Sequence, residues 1–222
     1  VVSPARKLTR MFRSASWVAL LGLFFASGAS GLIYEIVWMR LLSLTMSVTV
    51  YAVTTVLCAF MAGLALGAAI AGRVAHRVQR PMLAYGCIEM ALAAVALITP
   101  TLLFHLGPVY ASLHAALGGG TFGFAVARFL LAFAVLLVPS TLMGTTLPLL
   151  SRAVIQSAAA VGRGAGALYA VNTLGAVAGC VAAGFILIPN LGLSLTNGFA
   201  ATVSLLVGIS AVLLGRNLVT TT

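Results

Sequence analysis

The stretch VYAVTTVLCAFMAGLALGAAIAG, from Val50 to Gly72, runs for 23 residues without a charged side chain. As a helix it would rise about 35 Å, enough to cross the roughly 30 Å hydrocarbon core of a bilayer. A soluble helix of this length would need a polar face, and this stretch has none. It therefore predicts a transmembrane helix.

Five further apolar runs of spanning length occupy most of the remaining chain. None alternates apolar with polar residues as barrel strands do, and only helices pair their own backbone groups in lipid. We therefore predict an all-α polytopic membrane bundle of about six transmembrane helices. It would lie between a basic tail at 1–16 and a short tail at 215–222. The predicted helices cover residues 17–39, 48–70, 83–104, 124–147, 166–188 and 193–214.

Composition supports the same class. Of the 222 residues, 62% are hydrophobic and 6% are charged, against about 25% charged in soluble domains. The net charge of +10 does not indicate a nucleic-acid partner, because the basic residues cluster between apolar runs without interleaved aromatic residues.

The basic clusters also predict an orientation. They occur in the N-terminal tail and in the second and fourth loops, and the positive-inside rule places all three in the cytoplasm, with both termini. In the third loop, His105–Phe122, we expect a short interfacial helix that begins near Pro108 and ends at Gly118–Gly120. The basic residues of these three clusters are Arg6, Lys7, Arg10, Arg13, Arg73, Arg77, Arg80, Arg152 and Arg163.

Motifs for cofactors and metals are missing from the sequence. Cys58, Cys87 and Cys180 lie inside apolar runs without metal-ligand spacing, which indicates small buried side chains. The triple glycine at Gly118–Gly120 follows no predicted strand and lacks P-loop spacing. We expect no cofactor, no metal and no catalytic residue.

Small residues predict where helices pack. Gly63 and Gly67, and likewise Gly175 and Gly179, have the four-residue spacing that allows close helix contacts. These contacts could form within one chain or between copies in a homo-oligomer. In the fourth helix, two prolines and a glycine should bend or loosen the inner half: Pro139, Gly144 and Pro148.

The sequence has two acidic residues, Glu35 and Glu89, and both fall inside predicted helices, where a charge is costly unless paired or hydrated. Depth along the helices suggests Arg128 or the nearby Arg40 as partners of Glu35, and Asn172 as the partner of Glu89. In one interpretation these pairs hold helices together. In the other, the carboxylates bind a cation or a proton.

Two aromatic residues, Tyr34 and Trp38, flank Glu35 near the predicted outer membrane interface. An aromatic belt at the interface is the first interpretation. The alternative is a box that holds an organic cation through cation–π contacts.

Several segments resemble one family, in the same order along the chain. They begin with GASGLIYEIVWMRLLSL, Gly28–Leu44, and continue at Val50–Arg73, at PSTLMGTTLPLLSR, Pro139–Arg152, and at Leu168–Gly192. Together they resemble the membrane domain of the fused spermidine synthase-like proteins of bacteria. The resemblance implies a bacterial inner-membrane bundle similar to half of a major facilitator transporter.

In that family a soluble Rossmann-like aminopropyltransferase domain follows the membrane domain. These 222 residues contain no glycine-rich strand-to-helix turn and too few acids to bind a polyamine and an aminopropyl donor. We therefore expect a non-enzymatic module that anchors or accompanies a protein partner in the lipid bilayer. The alternative is a transporter or binder of polyamines or other organic cations that uses the intramembrane carboxylates.

Overall fold

The computed structural model describes residues 4–46, 49–118, 121–154 and 158–219, and these ranges contain helices and short connections but no strand. A 3₁₀ turn, Ala75–Arg77, follows the second helix, and a π-helical turn, Ala183–Leu187, joins the last two. The helices are α1 Pro4–Met46, α2 Thr49–Val74, α3 Pro81–Leu117, α4 Phe122–Val154, α5 Ala158–Ala182 and α6 Ile188–Val219.

Within the described residues, five helical segments are long and apolar enough to cross a membrane. This confirms the predicted all-α class, and the lengths and composition of the segments are those expected of a multi-pass membrane protein. The last segment has 53 residues and joins α5, the π-helical turn and α6. The segments are Trp17–Met46, Val50–Arg77, Pro81–Ala116, Phe122–Ala153 and Gly164–Arg216.

The last segment is broken at Gly192, whose φ of 75° and ψ of 177° are non-helical. A straight helix of 53 residues would rise about 80 Å, more than twice the thickness of the hydrocarbon core. The break falls where the sequence predicts a loop, between 188 and 193.

Contacts with earlier helices give the directions of α5 and α6. Along α5, Gly175 packs against Phe25 of α1 and Gly179 against Ala29, so α5 runs in the same direction as α1.

Along α6, Asn197 bonds to Ala96 of α3 while the later Gly208 packs against the earlier Gly86, so α6 and α3 are antiparallel. Helices α1 and α3 are parallel, because Phe24 contacts Tyr85 and Ser27 contacts Glu89. Helices α5 and α6 therefore run in opposite directions.

The third loop differs from the prediction. Helix α3 continues without interruption from Pro81 to Leu117, with Pro100 and Pro108 inside it, and ends at Gly118, where φ is 78°. The prediction of a separate interfacial helix is therefore wrong. A proline removes one backbone hydrogen bond, and packing against neighbouring helices allows a long apolar helix to continue through it. Gly119 and Gly120 lie outside the described residues.

Helix α1 occupies the centre of the bundle. Over its most apolar stretch it is 56% buried, against 22% for α4. Its side chains contribute to two buried clusters, one around Tyr34, Val37 and Trp38, the other around Leu20 and Phe24. Three polar side chains of α1 therefore lie inside the protein: Ser27, Ser30 and Glu35.

The glycine pairs lie at helix contacts. A Cβ atom on Gly63 would overlap Ser140 of α4, and one on Gly67 would overlap Thr141 and Gly144. Since both contacts progress in the same direction, α2 and α4 are parallel. A Cβ atom on Gly175 or Gly179 would overlap the backbone of α1.

Candidate functional site

Glu89 is fully buried between α1 and α3. Its side chain is 0% exposed, and the Ser27 hydroxyl of α1 donates a hydrogen bond to its Oε1 atom at 2.5 Å. The other carboxyl oxygen, Oε2, has no hydrogen-bond partner among the described residues. The Tyr85 hydroxyl lies beside the same carboxyl group and also lacks a partner in hydrogen-bond geometry.

A chain of hydrogen bonds continues from the Ser27 backbone across α1 to α6. Ser30 donates to the Ser27 carbonyl oxygen at 2.9 Å, and Ser204 donates to Ser30 at 3.0 Å. Tyr34 donates to Ser204 at 3.3 Å. We call Ser27, Ser30, Tyr34, Tyr85, Glu89 and Ser204 the polar layer.

Helix periodicity and one close contact assemble the polar layer. Residues 27, 30 and 34 are three and four positions apart, which places them on one face of α1. Tyr85 and Glu89 are likewise four apart on α3. Gly86 and Gly208 bring α3 and α6 together, because a Cβ atom on either would press against the backbone of the other helix.

The predicted pair of Glu89 and Asn172 is not formed. Glu89 bonds to Ser27, whereas Asn172 lies against Gly28, the next residue of α1. Equal depth in the membrane was the basis of the prediction, but depth does not specify which helices are neighbours. Here α1 passes between α3 and α5 and separates the two side chains.

The predicted ion pairs of Glu35 are also wrong. Glu35 is 7% exposed and has no cationic partner among the described residues. Arg40 is exposed, while Arg128 donates to the carbonyl oxygen of Met46 at 3.0 Å. Met46 is eleven residues beyond Glu35, or about 16 Å along the helix. Helix α1 is longer than predicted, so Arg128 lies level with its end rather than with Glu35.

Tyr34 and Trp38 do not form an aromatic belt. They are 0% and 1% exposed, so they lie in the core. Their rings are stacked, with centroids 5.4 Å apart and planes inclined by 13°. Stacked rings cover one face of each other and leave no gap between them for a cation, so this arrangement is not a box either.

Sequence reasoning missed Ser27, Ser30, Ser204 and Tyr85. The serines lie within apolar runs and resemble the other small residues that line helix contacts. The available signal was spacing, since hydroxyl groups recur at three and four residues on the helix that also carries Glu35. A tyrosine four residues before an embedded carboxylate gives a similar signal.

Among the cavities lined by the described residues, three have volumes of about 280, 330 and 170 Å³. Each is lined by one arginine: Arg128, Arg40 and Arg80, respectively. Neither Glu35 nor Glu89 lines any of the three. No cluster of His, Cys, Asp or Glu in the described ranges has the geometry to hold a metal.

The described part of the chain is all-helical, with five segments long and apolar enough to cross a membrane. No family model matches the chain, and comparisons with curated proteins and with solved structures give no significant match.

Proposed function

We propose that the chain is a non-enzymatic integral membrane module, a bundle of six transmembrane helices that anchors or accompanies a partner protein. One observation carries the proposal. Glu89, the most deeply buried charged residue described, is bonded within the bundle and lines none of the three cavities. A carboxylate that holds helices together needs such enclosure, whereas one that binds a transported ion needs access.

The six-helix arrangement rests on the break at Gly192. Because α5 and α6 run in opposite directions beside α1 and α3, the 53-residue segment is long enough to cross the bilayer twice. With two crossings there, α1, α3 and α5 all point one way, and both termini would face the cytoplasm by the positive-inside rule.

The resemblance to spermidine synthase-like membrane domains supports the choice of partner. In that family the bundle accompanies a soluble domain, and the segments that resemble it include residues 28–44 of α1, the helix that carries half of the polar layer. A soluble catalytic partner on the cytoplasmic side of a bacterial inner membrane is therefore the partner we propose.

Transport of an organic cation is the second candidate, because the polar layer is incompletely bonded. Among the described residues, neither Glu89 Oε2 nor the adjacent Tyr85 hydroxyl has a partner in hydrogen-bond geometry, and unpaired buried polar atoms are unusual. A proton or ammonium group reaching Glu89 would meet these two acceptors. The stacked rings of Tyr34 and Trp38 argue against a site for a bulky cation.

Reconstitution into liposomes separates the two functions. For a structural module, uptake of labelled spermidine should equal that of protein-free liposomes, and spermidine should leave the melting temperature in detergent unchanged. For a cation site, spermidine should raise the melting temperature of the parent. Glu89→Gln should abolish that rise without lowering the stability of the unliganded protein. Saturable uptake that depends on Glu89 would overturn the proposal.

A further inference from the structure

Arg128 lies in α4 without an acidic partner. The sequence contains two acids. Glu89 is bonded to Ser27, and Glu35 is about 16 Å along α1 from Met46, the residue that Arg128 contacts. A guanidinium group remains charged at any physiological pH, and a charge at membrane depth needs compensation.

The contacts of Arg128 compensate its positive charge only in part. The guanidinium donates to the Met46 carbonyl oxygen at 3.0 Å and lies 5.1 Å from the Phe124 ring centroid and 5.7 Å from that of Tyr110. A guanidinium has five N–H donors in a planar fork. One of these donors makes the hydrogen bond to Met46. The aromatic rings stabilise the positive charge through cation–π contacts, but they do not provide hydrogen-bond acceptors for the remaining donors.

Beside Arg128 is a cavity of about 280 Å³. Four hydroxyl-bearing side chains line it with the guanidinium, three from α2 and one from the start of α4: Tyr51, Thr54, Thr55 and Thr121. This volume is near the lower end of the range for small-ligand pockets, about 300 Å³. The cavity therefore combines a cation, hydrogen-bonding hydroxyl groups and room for a small anionic group.

Helix α4 begins at the same cavity. The Thr121 hydroxyl accepts a hydrogen bond from the Phe124 backbone N–H at 3.3 Å, which caps the helix start. The N-terminus of a helix carries a partial positive charge and favours anions. The helix start and the arginine thus contribute positive potential to one cavity.

We propose that this cavity binds a phosphate group, with Arg128 donating hydrogen bonds to its oxygen atoms. The group belongs either to the headgroup of a membrane phospholipid or to a free phosphate ion. Arg128 lies about six residues into α4, or roughly 9 Å from the helix start, a depth that a headgroup reaches from the membrane surface. Planar, bidentate binding of phosphate is characteristic of arginine.

The test measures thermal unfolding of delipidated protein in detergent with three probes. These are inorganic phosphate, a short-chain phosphatidylglycerol, and a diacylglycerol with the same acyl chains but no phosphate. At about ten times its Kd, a bound probe should raise the melting temperature by about 3 to 6 °C. A rise with the phospholipid alone identifies a lipid site, and a rise with inorganic phosphate as well identifies a free-anion site.

Substitutions in the cavity wall test whether the rise in melting temperature comes from binding in this cavity. Arg128→Gln should weaken binding about tenfold or more, and Arg73→Gln, at an exposed arginine on α2, should leave it unchanged. If Arg128→Gln does not fold, Thr54→Val removes an exposed hydroxyl group from the wall and should still weaken binding. The proposal is overturned if neither phosphate probe shifts the parent, if the diacylglycerol shifts it equally, or if every variant responds as the parent does.

Discussion

Glu89 and Ser27 form one of the few side-chain hydrogen bonds between helices in the described residues. A hydroxyl or carboxyl group buried without a partner costs about 1 to 3 kcal/mol. Both residues are buried, with Glu89 0% exposed and Ser27 8% exposed. The stability of the α1–α3 contact should therefore depend on the two residues jointly.

A double-mutant cycle measures this dependence. Glu89→Gln keeps an acceptor for Ser27 and should unfold close to the parent. Glu89→Leu leaves the Ser27 hydroxyl unpaired and should lower stability by about 1 to 2 kcal/mol. Adding Ser27→Ala to Glu89→Leu should restore part of that loss. Thermal unfolding in detergent provides the measurement, with Cys87→Leu as the control at an exposed site on α3. Additive losses would show that the two residues act separately.

At the scale of single residues, the sequence identified the charged side chains embedded in helices but not the groups that they contact. Glu35, Glu89 and Arg128 stood out because a charge in an apolar run is costly. Their neighbours depend on which helices pack side by side and on where each helix ends, and neither follows from depth. Ser27 became the partner of Glu89 because α1 is the central helix.

At the scale of helices, close packing depends on glycines without room for a side chain. Gly67 faces α4 and Gly175 faces α1, and in both cases a Cβ atom would overlap backbone atoms of the other helix. Apart from the nearby backbone of its own helix, Gly72 has no described atom within 4 Å of the corresponding position.

Alanine at these positions should therefore have opposite effects. Gly67→Ala and Gly175→Ala force helices apart and should lower stability by about 1 to 3 kcal/mol. Gly72→Ala should be neutral or stabilise by up to about 1 kcal/mol, because alanine favours helix. Thermal unfolding of the three variants is the measurement. Equal behaviour of Gly67→Ala and Gly72→Ala would mean that α2 and α4 do not approach as described.

A substitution at Gly192 tests the break in α6, and a substitution at Gly198 in the same helix is the matched control. The positive φ of Gly192 combined with its ψ lies in a region reserved for glycine, so Gly192→Ala should cost about 1 to 3 kcal/mol. Gly198→Ala, at a helical site with no close neighbour, should be neutral or slightly stabilising. A stabilising Gly192→Ala would indicate a continuous helix through the break.

The apolar runs predicted that these helices exist, but they did not predict the residues at which the helices begin and end. The helix predicted at 83–104 extends over Pro81–Leu117 in the structure. The helix predicted at 166–188 corresponds to Ala158–Ala182 followed by a π-helical turn. Hydropathy marks the part of a helix that is in lipid, whereas helices continue beyond it as long as backbone bonds are satisfied. The glycine break was visible in the sequence because the apolar pattern pauses at 188–193.

For the whole molecule, we propose six crossings of the membrane, because α5 and α6 run in opposite directions. Six crossings place Gln79 and Arg216 on one side of the membrane and Gly118 and Asn190 on the other. Five crossings would place Arg216 with Gly118 and would embed Asn190.

Cysteine labelling in a variant without the three native cysteines tests this arrangement. Single cysteines replace Gln79, Gly118, Asn190 and Arg216, and a membrane-impermeant thiol reagent is added to intact cells. Cysteines at 118 and 190 should react, and those at 79 and 216 should react only after permeabilisation, since basic loops remain inside. Labelling at 118 and 216 together would contradict six crossings.

The central claim is that Glu89 is enclosed as a structural group, and carbodiimide labelling tests it most directly. Dicyclohexylcarbodiimide enters membranes and modifies accessible carboxyl groups, and the sequence has two acidic side chains, so peptide mass spectrometry assigns the adducts without ambiguity. We predict that Glu89 stays unmodified in the folded protein, with or without spermidine, and reacts once the protein is denatured. Rapid modification of Glu89 in the folded protein, slowed by spermidine, would contradict the account and favour a cation site.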